Sequence, residues 1–267
     1  MSDLQNVLKD LTTAADDTER MVADLTEEQW ALPTPASGWT VADQVAHMSF
    51  IFRLAGTAAS DPAAFAAMTE QAKGDFDGAV NAALHAYPRH DPAALLARWR
   101  AERTACIDAL AVVPPGQVVP WLVNPLPPVV LACAGIMETF AHGQDIADAL
   151  RIRREPAEWL RHLVGFAVLT RDFGYQARGL TPPAEPFRFE ITGPSGELWE
   201  HGPADAAERV SGPAHDFCLL VTRRRHRADL AVTAAGPAAE HWLDIAQAYR
   251  GPAGEGRKPG QFADLPA

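Results

Sequence analysis

The sequence predicts a mainly helical protein whose chain ends in a small α+β domain, and three observations carry that expectation. Through the first 152 residues, apolar side chains recur at helical spacing in runs separated by proline- and glycine-bearing breaks. Alanine is abundant in that half, which favours helix. Beyond residue 183 the period shortens. FRFEITGP and GELWEHG alternate, and they flank Gly193-Pro194-Ser195-Gly196, the pattern of two short strands joined by a turn. The expected organisation is a helical bundle over 1–152, a linking helix within 153–182 and an α+β domain over 183–267.

The first helix is expected from about Asp3 to Leu25, where Leu4, Val7, Leu8, Leu11, Met21, Val22 and Leu25 form a stripe among acids. LPTPASGW breaks the chain. Thr40 then has the chemistry of an N-cap, with Asp43 three residues on, and a helix follows from Val41 to about Ala59. Pro62 suits a first helical turn, and Ala63 to Tyr87 reads as helical but irregular. Asp91-Pro92 opens a helix over Ala93 to Val112, which Pro114-Pro115-Gly116 stops. VVPWLVNPLPP is an extended connector. The run from Pro128 to Leu150 begins VVLACAGIM, apolar on nearly every side, as a central helix should be. Beyond it one helix is expected over Glu155–Gly179. A loop or short helix follows over Ala204–Val210, a helix over Ala214–Thr222, a strand over Asp229–Thr233 and a closing helix over Pro237–Tyr249.

Composition excludes several functions. A hydrophobic share of 48% with 21% charged residues is that of an ordinary globular protein. The net charge of −11 repels phosphate backbones and argues against a nucleic-acid partner, and the short basic run Arg223-Arg224-Arg225-His226-Arg227 does not reverse that. Cys106, Cys133 and Cys218 lack CxxC spacing and lie in apolar stretches, so they read as buried free thiols of a reducing compartment. No signal peptide and no membrane span is expected, which makes a cytoplasmic location the expectation.

The chemistry concentrates in three residues. Glu138 and His142 stand four apart on one helix, so a carboxylate and an imidazole share a face one turn apart. His47 lies on another helix, four residues after Asp43. Imidazole and carboxylate donors suit a divalent ion of the zinc type, and three protein ligands leave a coordination position open, the catalytic arrangement. The bland alternative is real, since Glu-x-x-x-His pairs are common on helices and a lone histidine on an apolar face is more often core. Against it, a carboxylate placed after an apolar half-helix is costly unless paired or metal-bound.

Trp39-Thr40-Val41 followed by His47, and Glu138 and His142 followed by Gln144-Asp145-Ile146, resemble the DinB-type four-helix bundle. The closer resemblance is to its mycothiol-dependent maleylpyruvate isomerase branch, and it covers most of the chain. It implies a DinB-like bundle with a sterol-carrier-like α+β tail, metal ligands at His47, Glu138 and His142, and mycothiol as the thiol cofactor. A zinc-held thiolate would then add to a small electrophilic or unsaturated acid, as an isomerase or S-transferase. The fold alone does not decide the reaction. A thiol-independent lyase, hydrolase or cyclase of a small acyl compound, and a non-catalytic carrier of an apolar ligand, remain as alternatives.

The isomerases use a C-terminal arginine, and Arg223, Arg225 and Arg227 are its candidates. On a strand these three would face one side, and arginine's planar fork suits a substrate carboxylate. Asp145 is a candidate for orienting a ligand imidazole or acting as a base, the alternative being an exposed helix acid. His85 and His90, flanking Tyr87-Pro88, are candidates for lining the cleft. Trp39 and Trp121 read as packing residues, and His201, His215 and His226 carry no ligand spacing.

Overall fold

The computed structural model describes residues 4–70 and 76–265. Part of the helical reading at Ala63–Tyr87, residues 71–75, therefore lies outside the described residues. The chain divides into two compact units, Met1–Ile152 and Arg153–Ala267.

The first unit is all helix. In chain order it holds α1 (Leu4–Val22), α2 (Glu27–Trp30), α3 (Val41–Ser60), α4 (Pro62–Glu70), α5 (Phe76–His85), α6 (Pro92–Ala111) and α7 (Pro128–Leu150). The four long helices pack in a ring, α1 on α7, α7 on α3, α3 on α6 and α6 on α1, the DinB-like four-helix arrangement. Val7, Leu11, Val45, Met48, Leu95, Trp99, Leu110, Ile136 and Phe140 fill the interior at no more than 1% exposure. Gly56 lets α3 approach α6, because a Cβ there would meet the Cys106 backbone at 3.0 Å.

Local chemistry starts each site-bearing helix. Thr40 caps α3 in a full capping box: its hydroxyl accepts from Asp43 N–H, and the Asp43 carboxylate accepts from Thr40 N–H. This fixes the first turn, one turn ahead of His47. Prolines at the first turns of α6 and α7 start those helices without leaving a donor unused. α7 ends where Arg151 takes a left-handed conformation, φ 56°, at the boundary of the unit. The proline-rich connector before α7 is pinned by paired bonds of 2.8 Å between Val119 and Leu126.

The second unit is α+β. It contains α8 (Leu160–Leu169), α9 (Phe173–Gln176), β1 (Phe187–Thr192), β2 (Leu198–His201), β3 (Glu208–Pro213), α10 (Ala214–Val221), β4 (Thr233–Ala235) and α11 (Pro237–Ile245). The sheet order is β2-β1-β3-β4, with β1 antiparallel to β2 (Ile191 opposite Trp199), parallel to β3 (Phe189 opposite Val210), and β3 antiparallel to β4. Phe187, Phe189 and Ile191 alternate inward from β1, and Phe189, Phe217 and Trp242 form the aromatic core between the sheet, α10 and α11.

Four expectations for this unit need correction. The single helix over Glu155–Gly179 is two, because the Thr170 hydroxyl turns back onto the Phe166 carbonyl and the chain re-enters as α9. Gly174 of α9 then packs on the Ile245 carbonyl, where a Cβ would lie at 2.1 Å. The loop or short helix expected over Ala204–Val210 gives way to β3 from Glu208 onward. Buried Glu208 accepts from Ala239 N–H at 2.7 Å and so caps α11 from a distance. The strand expected over Asp229–Thr233 is displaced to Thr233–Ala235. A 3-10 turn at Arg227–Asp229 takes its place, capped by the His226 ring accepting from Ala228 N–H. The closing helix stops at Ile245, short of Tyr249.

Candidate metal centre

α3 and α7 face each other, and that contact assembles the site. His47 comes from the second turn of α3, while Glu138 and His142 come from successive turns of α7. One potential donor atom from each lies within 4.8 Å of the others, the group of this kind found among the described residues. Glu138 Oε2 is 3.2 Å from His142 Nε2 and 3.6 Å from His47 Nε2, and the two ring centroids are 4.4 Å apart. The side chains retain 12%, 24% and 13% exposure for His47, Glu138 and His142.

Electrostatics favour a cation here. Burial alone would raise the Glu138 pKa, but hydrogen bonds and charge from His142 and His47 outweigh it and hold the carboxyl well below the usual carboxylate range. The carboxylate is therefore ionised at neutral pH. His142 Nδ1 lies 2.6 Å from Gln44 Oε1, so its other nitrogen, Nε2, is the one turned to Glu138. His47 Nδ1 is buried with no hydrogen-bond partner among the described residues. Two imidazoles and one carboxylate converging in this way match the donor set of a catalytic zinc-type ion.

Two residues that the sequence did not single out as site residues complete the surroundings. Gln44 is fully buried, and its amide nitrogen donates to Thr34 Oγ1 at 2.8 Å. Its signal in the sequence was a polar residue between Asp43 and His47 in the first two turns of α3. Trp39, read as packing, places its indole against both imidazoles, 5.0 Å from His47 and 5.9 Å from His142 between centroids. Trp121 does pack, stacked on Phe65 at 5.9 Å.

The remaining candidates fall elsewhere. Asp145 is 1% exposed, so it is no surface acid, but the partner at His142 Nδ1 is Gln44. His85 is exposed and its Nδ1 lies 2.7 Å from Arg89 Nη2; Arg89 in turn pairs with Asp43 at the start of α3. His90 is exposed, and neither loop histidine joins the triad. The arginines do not alternate on a strand. They follow α10 in a helix-ending turn, with Arg223 left-handed at φ 58° and Arg224 N–H reaching back to the Leu219 carbonyl at 2.8 Å. Arg227 pairs with Glu240 and Asp244, Arg225 lies over the Phe262 ring at 3.9 Å, and Arg223 donates to Gln247 at 3.3 Å. Cys133 is half-buried on α7 rather than fully buried, and all three cysteines are free thiols. Among the described residues no helix is long and apolar enough to cross a membrane.

Fold and site together define a DinB-like helical bundle that brings two imidazoles and a carboxylate together on two facing helices. The family model described as "Mycothiol maleylpyruvate isomerase N-terminal domain" matches residues 11–147, and the chain belongs to that family. A second model, "Wyosine base formation", matches residues 183–235 in the α+β unit. Two uncharacterized proteins of Mycobacterium tuberculosis, from strains CDC 1551 / Oshkosh and ATCC 25618 / H37Rv, are each 44% identical over 257 residues, 96% of this chain and 100% of theirs. The crystal structure of the mycothiol-dependent maleylpyruvate isomerase superposes with a TM-score of 0.57 at 14% identity, covering 87% of this chain and 93% of that one. A mutant of the same isomerase gives 0.56 over the same shares. At that identity the likeness speaks for the fold.

Proposed function

We propose that the protein is a metal-dependent enzyme that applies a low-molecular-weight thiol, mycothiol, to a small electrophilic or unsaturated acid, as an isomerase or S-transferase. The observation that carries the reading is the convergence of His47, Glu138 and His142 within 4.8 Å, inside the segment matched by the mycothiol maleylpyruvate isomerase family. When bound, a divalent ion of the zinc type supplies an open position at which a thiol loses its proton near neutral pH.

The chain's own residues do the rest. Glu138 carries the negative charge that draws a cation, and the two imidazoles supply nitrogen donors. Trp39 walls one side of the pair with an apolar face, which limits water at the donors. The protein's own cysteines are unsuited to be the nucleophile. Burial pushes Cys106 to about 12, with Glu102 adding to it, pushes Cys133 to about 11, and raises Cys218 well above the ordinary thiol value. A thiolate at neutral pH therefore has to come from outside the chain. Of the three arginines considered for a substrate carboxylate, Arg227 is already held by two acids, whereas Arg223 has no carboxylate partner among the described residues.

Calorimetry of mycothiol binding to zinc-loaded protein, in buffers of different ionisation enthalpy, tests the reading. About one proton should be released per site. Turnover of a substrate with no thiol present, and no thiol binding, would move the protein to metal-only chemistry.

A further inference from the structure

We infer that Gln44 is a positioning residue that locks His142 in a single tautomer, through a relay whose direction is set by a backbone carbonyl. The relay runs from the Trp39 carbonyl through Thr34 and Gln44 to His142, and each link fixes the next.

The Trp39 carbonyl oxygen can only accept. It accepts from Thr34 N–H at 2.8 Å and from the Thr34 hydroxyl at 2.9 Å. A hydroxyl has one proton, so with that proton spent Thr34 Oγ1 must accept from its other neighbour. The neighbour is Gln44, 2.8 Å away, which must therefore present its NH2 there. The amide oxygen then points the opposite way, at His142 Nδ1, 2.6 Å away. An amide oxygen only accepts, so His142 Nδ1 must carry hydrogen. Nε2, 3.2 Å from Glu138 Oε2, donates to that carboxylate while the ring is protonated, and in the neutral ring it is the nitrogen left bare, with a lone pair for a cation.

The orientation follows from the network rather than from assigning a flip to the amide or the ring. The relay is also well placed to hold its direction. Gln44 is 0% exposed, so water does not compete for its two ends. The Trp39 residue acts twice, its carbonyl anchoring the relay and its indole resting on both imidazoles. The partner is a neutral amide, so it orients His142 without adding a second negative charge beside Glu138.

The inference rests on the proposed metal centre for its purpose but not for its test. Metal-free protein with labelled histidine, held at a pH where the imidazoles are neutral, is examined by two-bond proton–nitrogen correlation. His142 should be protonated at Nδ1 and bare at Nε2. In Gln44→Leu the proton should move to Nε2, which faces Glu138 Oε2. Gln44→Glu keeps an acceptor facing Nδ1, with the Thr34 hydroxyl turning from the Trp39 carbonyl to donate to the second carboxylate oxygen, and should restore the original tautomer. Thr34→Val removes the anchor while leaving Gln44 in place, and should give a mixture of the two forms. Zinc affinity, read by chelator competition, should fall 10- to 100-fold in Gln44→Leu and recover in Gln44→Glu.

An Nε2-protonated His142 in the wild type would overturn the inference. So would a Gln44→Leu variant, or its Thr34→Val counterpart if that one folds better, with tautomer and zinc affinity unchanged. A wild type with the assigned tautomer but no zinc binding would instead remove the metal reading and leave the relay standing.

Discussion

Replacing His142 with alanine should strip the metal from the protein. The substitution leaves Glu138 and His47, one donor on each of two helices, with 3.6 Å between Oε2 and Nε2. Four-ligand zinc sites in small peptides bind with apparent free energies of about 10–16 kcal/mol, so each protein ligand contributes roughly 2.5–4 kcal/mol. At about 1.4 kcal/mol per tenfold, losing one ligand weakens zinc roughly 10²- to 10³-fold. A smaller second effect falls on stability. Gln44 Oε1 loses its partner in a fully buried position, which costs about 1–3 kcal/mol unless water fills the space left by the ring. Elemental analysis after passage over a chelating column reads the first effect, and thermal unfolding of metal-free protein reads the second. Full zinc occupancy in His142→Ala would refute the ligand assignment, because no other His, Cys, Asp or Glu group among the described residues is arranged to replace it.

Gly174→Ala should lower stability by roughly 1–3 kcal/mol, since its new Cβ would lie 2.1 Å from a backbone oxygen that cannot swing away; an unchanged thermal midpoint would show that this contact is not close. The Asp43 carboxyl is raised by burial, but bonds from Thr40 and the Arg89 guanidinium more than offset this and hold it below its ordinary value. Its stabilising contribution is therefore present above the unfolded pKa of about 3.9 and is lost as pH falls through the folded one. Arg89→Ala should move that acid loss to higher pH in a titration followed by circular dichroism, and an unmoved acid limb would contradict the pairing. Arg223→Gly, which suits the left-handed backbone at that position, Arg225→Ala and Arg227→Ala should raise the substrate KM at one position far more than at the other two. An unchanged KM in all three variants would remove the arginine candidates.

Much of the bundle was legible because its signals are local. The Thr40–Asp43 capping box, the prolines opening α4, α6 and α7, and the Glu138–His142 spacing all act within one turn of helix. The second unit was harder to read where tertiary contacts decide. β3 forms because β1 offers a parallel partner and because Glu208 is drawn inward to cap α11, neither of which shows within ERVSGP itself. The arginine run looked like an alternating strand and is a helix-ending turn, with arginine where glycine is usual. At the site, the three ligands came from spacing and resemblance. Gln44 did not, because its partner His142 lies 98 residues away and only the packing of α3 on α7 joins them. Trp39 looked like packing for the same reason, since both of its imidazole neighbours are brought to it by the fold.

The most direct test of the account is to load the protein with cobalt in place of zinc and titrate it with mycothiol while recording the visible and near-ultraviolet spectrum. The account predicts a sulfur-to-cobalt charge-transfer band that grows to one thiol per site and is absent from His142→Ala. A cobalt spectrum that does not respond to the thiol, in protein that still turns over a substrate, would contradict it.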